Sequence, residues 1–120
     1  MWQRYFGRGI VGHVAFSPAT LSSGEPGWLT LGPVSVHPGF QRQGIARALI
    51  EAGVAYWRHA GASGVVLVGS PDFYGRFGFA RGTSLRVAGP LAPYFQVHPF
   101  TDEIPAASVT FASAFDRARP

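Results

Sequence analysis

Residues 31–60, LGPVSVHPGFQRQGIARALIEAGVAYWRHA, decide how the rest of the chain is arranged. LGPVSV is typical of a buried strand, HPGF of a tight turn and QRQGIA of a glycine-bearing loop, and a long amphipathic run follows. One apolar helix face is indicated by residues that recur every three or four positions, namely Ile45, Leu49, Ile50, Val54 and Trp57. The stretch predicts a strand, a loop and a helix in direct succession.

The loop before this helix suits an anion. The first turn of a helix presents backbone N–H groups without intrahelical partners, together with the positive end of the helix dipole, and both favour a phosphate. Arg42 lies in the loop and Arg47 lies about one turn further on, with Glu51 four residues beyond it. We expect a ligand here; the alternative is an ordinary turn with a polar helix start.

Composition fits one soluble globular domain. The chain has 120 residues, of which 47% are hydrophobic and 13% charged, enough for a single core and too apolar for disorder. No apolar run reaches the ~20 residues that cross a bilayer, and the N-terminus lacks the layout of a signal peptide. We therefore expect a cytoplasmic protein with no membrane partner.

The absent residue types exclude several chemistries. Without cysteine there is no disulfide, thiol nucleophile or cysteine-ligated zinc, and without lysine there is no phosphate-loop lysine or Schiff base. No G-x-S-x-G serine motif is present. The net charge of +4 comes from ten scattered arginines and favours an anionic partner, but nucleic acid is not the expected one because no basic patch forms.

The remaining elements predict a mixed sheet around this unit. Residues 2–6 and 10–17 are expected to form a hairpin, 18–27 a loop, and 28–36 a strand that bulges at Gly32 and Pro33 because proline cannot donate to the ladder. Residues 65–68 read as a strand buried on both faces and parallel to 28–36.

Later segments complete this prediction. Pro71 can open a single helical turn that Gly78 ends. Residues 79–87 and 94–100 read as antiparallel strands, and 108–111 as a short edge strand.

Two motifs in this order resemble the GNAT family of acetyl-CoA-dependent N-acetyltransferases. VSVHPGFQRQGIARALIEAG, residues 34–53, is similar to the family's strand ending in V-x-P, followed by [Q/R]-x-x-G-x-[G/A] and a long helix. YGRFGF, residues 74–79, is similar to its tyrosine followed by x-x-[L/F]-G-F. The resemblance is strongest over residues 31–79. It implies an α/β (α+β) fold with a mixed, mostly antiparallel sheet, a splayed central strand pair and one long helix after the cofactor loop.

The same resemblance implies acetyl-CoA as co-substrate and no metal. Its diphosphate would be held by backbone amides of the loop and helix start: Arg42, Gln43, Gly44, Ile45, Ala46 and Arg47. Its pantetheine arm would lie along Val34, Ser35 and Val36, where an N–H could also stabilise an oxyanion on the thioester carbonyl. The alternative for these three residues is a core strand with a proline defect.

Tyr74 is the candidate general acid. The resemblance implies that it lies near the cofactor sulfur and protonates the departing thiolate, for which a phenol with a pKa of ~10 is suited. The alternative is a core tyrosine beside Phe73 and Phe77.

The base that takes the amine proton stays open between Glu25, His37, His13 and a chain of waters. His59 and His98 lack the spacing of metal ligands. Three further arginines are expected on a solvated face, namely Arg76, Arg81 and Arg86.

The predicted function is transfer of an acetyl group from acetyl-CoA to an amine, on a small molecule or a peptide, by direct attack. The alternative is a catalytically silent CoA-binding domain that acts as a sensor or partner subunit. Family members usually begin with a strand and two helices, and the resemblance implies that this chain starts at the second strand. From its length we expect one domain over 1–120, with 101–120 as an extension. The apolar N-terminal strand predicts a homodimer.

Overall fold

A computed structural model describes residues 4–7, 12–40 and 44–111 of the chain. In these ranges seven strands form one sheet in the order β5-β7-β2-β3-β4-β6, with β1 also paired to β2. The strands are β1 Arg4–Gly7, β2 Gly12–Leu21, β3 Trp28–Val36, β4 Gly64–Val68, β5 Leu85–Arg86, β6 Phe95–Pro99 and β7 Ala107–Phe111. The α-helices are α1 Ile45–His59 and α2 Pro71–Tyr74.

This sheet is mixed and mostly antiparallel, as predicted. The antiparallel pairs are β1 with β2, β2 with β3, β2 with β7, and β4 with β6. The pairs β3 with β4 and β5 with β7 are parallel. The predicted crossover through a long helix is thus confirmed for β3 and β4.

The predicted irregularity in β3 lies where Gly32 and Pro33 follow Leu31. Val34 is paired with Val14 of β2, but Leu31 is paired with Phe16. Two residues of β3 therefore stand opposite one residue of β2, which is a β-bulge.

The two central strands part soon after they meet. β3 and β4 are paired from Trp28 and Gly64 to Thr30 and Val66, and their pairing ends there. β4 continues to Val68 beside β6, whereas β3 continues to Val36 beside β2. The splayed central pair predicted from the sequence is present.

Helix α1 covers one face of this sheet. Its Ile50 and Val54 are buried in a core with strand residues Val14, Phe16, Leu29, Leu31, Val65 and Leu67. The opposite face has a second core, which includes Trp28, Val66, Leu85, Phe95, Val97 and Val109. Successive residues of β4 alternate between the two cores, so this strand is buried on both faces as predicted.

Two predicted elements were wrong. The predicted loop at 18–27 begins only after Leu21, because Ala19 and Leu21 are buried and β2 pairs there with β7. The predicted strand at 79–87 is reduced to one bridge between Ala80 and Val97, together with β5. The hydroxyl of Ser84 donates to the carbonyls of Ile104 and Pro105, at 2.9 and 3.2 Å, which draws this segment towards β7.

The other strands agree with their predictions within a few residues. β1 and β2 pair antiparallel, β6 is antiparallel to β4, and β7 contains the predicted edge strand. The side chains of the apolar N-terminal strand, on which the predicted homodimer rests, lie outside the described part of the chain. Across the described ranges, every helix is too short or too polar to span a membrane.

Truncating Ile50 to alanine tests how firmly α1 is held to the sheet. Ile50 is fully buried, so Ile50→Ala should lower the free energy of unfolding by ~2–5 kcal/mol, measured by urea denaturation. Glu51→Ala, at the exposed neighbouring position, should change it by less than about 0.5 kcal/mol. A cost below about 1 kcal/mol for Ile50→Ala would contradict this packing.

Candidate active site at the parted strands

The N-cap residue of α1 is a glycine and so has no side chain to cap the helix. This residue, Gly44, has a left-handed φ of 78°, and within the described part of the chain no side-chain cap hydrogen bond is made there. The Gly44 carbonyl accepts from the N–H of Ala48 at 3.0 Å. A Cβ on Gly44 would meet no atom of the other described residues within 4 Å, and the left-handed φ is what favours glycine here. This arrangement suits an anion approaching the first turn.

Part of the predicted phosphate loop can be placed. Ile45 and Ala46 are half-buried in the first turn of α1, and Arg47 is exposed. The Nε of Arg47 lies 3.6 Å from a carboxylate oxygen of Glu51, an exposed pair worth ~0.3–0.5 kcal/mol. Such a pair can rearrange at little cost when another anion binds. Arg42 and Gln43 lie outside the described residues.

The predicted arm-binding segment is the last part of β3. Val34, Ser35 and Val36 are paired on the β2 side with Val14, His13 and Gly12. Their other side is where β4 has already separated. Residues directly opposite share a face of the sheet, so Val34 lies towards α1, where it packs on the core, and Ser35 lies on the opposite face.

The turn between β3 and α1 is short. Residues Pro38–Phe40 form a 3-10 turn, in which the N–H of Gly39 donates to Nδ1 of His37 at 3.1 Å. Eight residues, 37–44, separate the parted end of β3 from the first residue of α1.

Tyr74 lies on the segment that follows the other parted strand. It ends α2, whose N-cap Ser70 accepts a hydrogen bond at its side chain from the N–H of Phe73 at 3.3 Å. The Tyr74 ring packs against the rings of Phe73, Phe77 and Phe79, with centroid distances of 4.9, 6.5 and 6.1 Å. Burial raises the pKa of the Tyr74 hydroxyl above its usual value.

A buried glutamine holds the start of this segment. Gln96 is 1% exposed, and its Nε2 donates to the carbonyls of Gly69 and Tyr94, at 3.0 and 3.3 Å. The N–H of Gly69 also donates to the Tyr94 carbonyl at 3.0 Å. A Cβ on Gly69 would lie 2.5 Å from Cε2 of Tyr74, so any larger residue at this position would collide with the Tyr74 ring. Gln96 in turn holds the Gly69 backbone in position by its hydrogen bond to the Gly69 carbonyl.

Gln96 is not among the residues predicted from the sequence. It stands between Phe95 and Val97, an alternation typical of a polar residue on the solvent side of a strand. Only the pairing of Gln96 with Leu67 of β4 shows that it faces the α1 core.

The fold places two of the candidate bases near the parted end of β3 and the third beyond its other end. His13 is half-buried and paired with Ser35, and His37 is exposed in the turn after β3. Glu25 lies before β3, and from Trp28 to Val34 the strand alone extends about 20 Å. Glu25 is therefore at the wrong end of β3 to act at its parted end.

The remaining histidines do not form a metal site. His59 is at the exposed end of α1 and His98 is half-buried on β6. Burial lowers the pKa of His98; a hydrogen bond to the backbone of Pro99 raises it in part, and the charge of Arg58 lowers it. Among the described residues, no three His, Asp or Glu side chains group as metal ligands would.

The Tyr74 hydroxyl should titrate late. The pKa of Tyr74 is higher in the folded protein than in the unfolded chain, so the protonated hydroxyl contributes to the free energy of unfolding. That contribution is fully present below pH ~10, the pKa of the unfolded chain, and is lost as the pH rises through the folded-state pKa. Tyrosinate absorbance of the native protein minus that of Tyr74→Phe isolates this group. The difference should have its midpoint above 10.0, and a midpoint at or below that value would contradict the burial.

Comparisons with known proteins find a matching family and several similar proteins. An acetyltransferase (GNAT) domain family matches residues 2–81. An uncharacterized N-acetyltransferase YhbS of Escherichia coli strain K12 is 35% identical over 97 residues, which are 78% of this chain and 58% of that protein.

Two crystal structures are also similar. A GNAT family acetyltransferase from Brucella melitensis, in complex with acetyl-CoA, has 42% identity and a TM-score of 0.74, covering 88% of this chain and 61% of that one. Escherichia coli YhbS in complex with CoA has 33% identity and a TM-score of 0.80, covering 89% and 63%. The chain thus spans about three fifths of the length of these relatives.

Proposed function

The chain belongs to the acetyltransferase (GNAT) domain family, and on this premise we propose that it transfers an acetyl group from acetyl-CoA to an amine. The observation that carries the proposal is the combination of a glycine N-cap at Gly44, where the described residues provide no side-chain cap, with two central strands whose pairing ends at Thr30 and Val66. In support, the Brucella melitensis relative was crystallised with acetyl-CoA and Escherichia coli YhbS with CoA.

The backbone supplies most of the proposed cofactor contacts. N–H groups at the helix start would hold the diphosphate, from Arg42, Gln43, Gly44, Ile45, Ala46 and Arg47, with the two guanidinium groups adding charge. The backbone of Val34, Ser35 and Val36 would pair with the amides of the pantetheine arm, since β4 does not pair with this part of β3. When bound, acetyl-CoA supplies the activated thioester.

Tyr74 is proposed as the general acid. The amine nitrogen attacks the thioester carbonyl carbon, the carbon–sulfur bond breaks, and the Tyr74 hydroxyl gives its proton to the departing sulfur. The raised pKa of Tyr74 keeps that proton in place at neutral pH until the thiolate forms. An N–H of residues 34–36 would stabilise the negative charge that develops on the carbonyl oxygen.

The amine also loses a proton during this reaction. His13 is the candidate base that is paired with a residue of the proposed arm-binding segment, Ser35. We therefore propose that His13 takes the proton, directly or through water.

Replacing Tyr74 by phenylalanine tests its role. With acetyl-CoA and a panel of amines, followed by release of free thiol, Tyr74→Phe should lower kcat by ~10²–10⁴-fold and leave CoA affinity unchanged by calorimetry. Tyr56→Phe, at an exposed position of α1, is the matched control and should behave as the native protein does. Equal turnover by Tyr74→Phe would remove Tyr74 from the mechanism, and CoA binding without turnover of any amine would support a silent CoA-binding domain instead.

Two glycines at opposite ends of α1 provide a matched test of the phosphate site. Gly44 and Gly61 both have left-handed φ angles, of 78° and 90°, and a Cβ on either would meet no atom of the other described residues within 4 Å. Alanine at either position should destabilise the fold by a similar ~1–2 kcal/mol.

The two substitutions should differ in cofactor binding. Gly44→Ala distorts the helix start and should raise the Kd for CoA about tenfold or more, whereas Gly61→Ala should leave it within about twofold. If both substitutions, or neither, weakened CoA binding, the diphosphate would not be held at the start of α1.

A further inference from the structure

A groove of about 620 Å³ lies beside β5 and β6, within the ~300–1,000 Å³ typical of small-molecule sites. Its walls include apolar residues of the second core, among them Leu85 and Phe95. The groove is therefore on the face of the sheet opposite α1.

Two arginines line this groove, and both are exposed, as the sequence predicted. Nη1 of Arg81 donates to the carbonyl of Pro93 at 3.3 Å, and Arg86 is exposed on β5. None of the described residues that line the groove is acidic. Among the described residues the ion pair formed is that of Arg47 with Glu51, so neither groove arginine is neutralised by a described carboxylate. The groove is thus lined by two arginine residues and by apolar residues.

This groove adjoins the segment that carries Tyr74. Phe95 in its wall is paired with Val68, the last residue of β4. Pro93, also in the wall, precedes Tyr94, whose carbonyl accepts from the N–H of Gly69. Gly69 in turn lies against the Tyr74 ring. One hydrogen bond thus joins the groove wall to the segment that positions Tyr74.

We propose that this groove binds the acetyl acceptor, and that the acceptor carries a carboxylate or phosphate next to an apolar portion. The guanidinium groups of Arg81 and Arg86 bind the anionic group, for which their planar arrays of donors are suited. Leu85, Val87 and Phe95 contact the apolar portion, leaving the amine towards the parted strands. This inference rests on the proposed function and adds the chemical class of the substrate.

Matched amines test this specificity. Phenylalanine carries an amine, a carboxylate and an apolar ring, phenylalaninamide lacks the negative charge, and phenethylamine lacks the whole group. O-phosphoethanolamine and ethanolamine form the corresponding phosphate pair. With acetyl-CoA, kcat/KM should be at least about tenfold higher for the anionic member of one pair, and which pair responds distinguishes carboxylate from phosphate.

Variants of the arginines assign the preference to this groove. Arg81→Gln and Arg86→Gln should each raise KM for the preferred anionic amine about tenfold, with kcat within about twofold and no change for its neutral counterpart. Arg76→Gln, at an exposed arginine outside the groove, should behave as the native protein does. The affinity for CoA should be unchanged in all three variants.

The outcomes separate this inference from the proposed function. Transfer that prefers neutral amines, or is unaffected by Arg81→Gln and Arg86→Gln, would overturn the inference and leave the acetyltransferase intact. If no amine is acetylated, the proposed function fails. In that case, calorimetry with phenylalanine and with O-phosphoethanolamine tests whether the groove binds an anionic ligand. Binding heat that both arginine variants abolish would support the groove as the binding site, and the absence of binding heat would overturn it.

Discussion

A central strand that contains proline cannot keep a hydrogen-bonded neighbour on both sides along its whole length, because proline has no N–H to donate. In this fold β3 is such a strand, with Gly32 and Pro33 in its middle. The chain accommodates them as a bulge against β2, and pairing with β4 ends at Thr30, before the bulge is reached. The parted strands, and with them the candidate cofactor groove, follow from this local constraint.

The two parted strands lead into the two halves of the candidate site. β3 continues through a 3-10 turn to the start of α1, while β4 continues through Gly69 to the helical turn that carries Tyr74. Gln96 on β6 anchors the second half by its hydrogen bond to the Gly69 carbonyl. A buried amide with its donors satisfied by backbone carbonyls favours one conformation of this segment, since any other would leave buried polar groups unpaired.

Sequence patterns correctly predicted the helices and strands that are determined by residues close to them in the chain. The bounds of β3 agree with the prediction, α1 follows the apolar spacing of Ile50 and Val54, and Pro71 opens α2 as expected. Errors arose where distant segments decide the structure. β2 extends beyond Pro18 because Ala19 and Leu21 are buried beside β7.

The candidate site residues that were missed from the sequence share this cause. Gln96 is buried through its pairing with β4, and Arg81 and Arg86 line a groove formed where β5 and β6 meet the second core. Neither environment is visible in the residues that flank them along the chain. The resemblance of residues 74–79 to a family motif identified Tyr74 as a candidate, but its position beside Gly69 depends on a contact that only the fold reveals.

The most direct test of whether the parted strands and the helix start form one cofactor site is an NMR titration. CoA is added to the isotopically labelled protein, and the amide chemical shifts are followed. Saturable binding with the largest shift changes at the N–H groups of Ile45–Arg47 and of Val34–Val36 is the predicted result. Saturable binding with its largest changes elsewhere, or no saturable binding at all, would contradict this account.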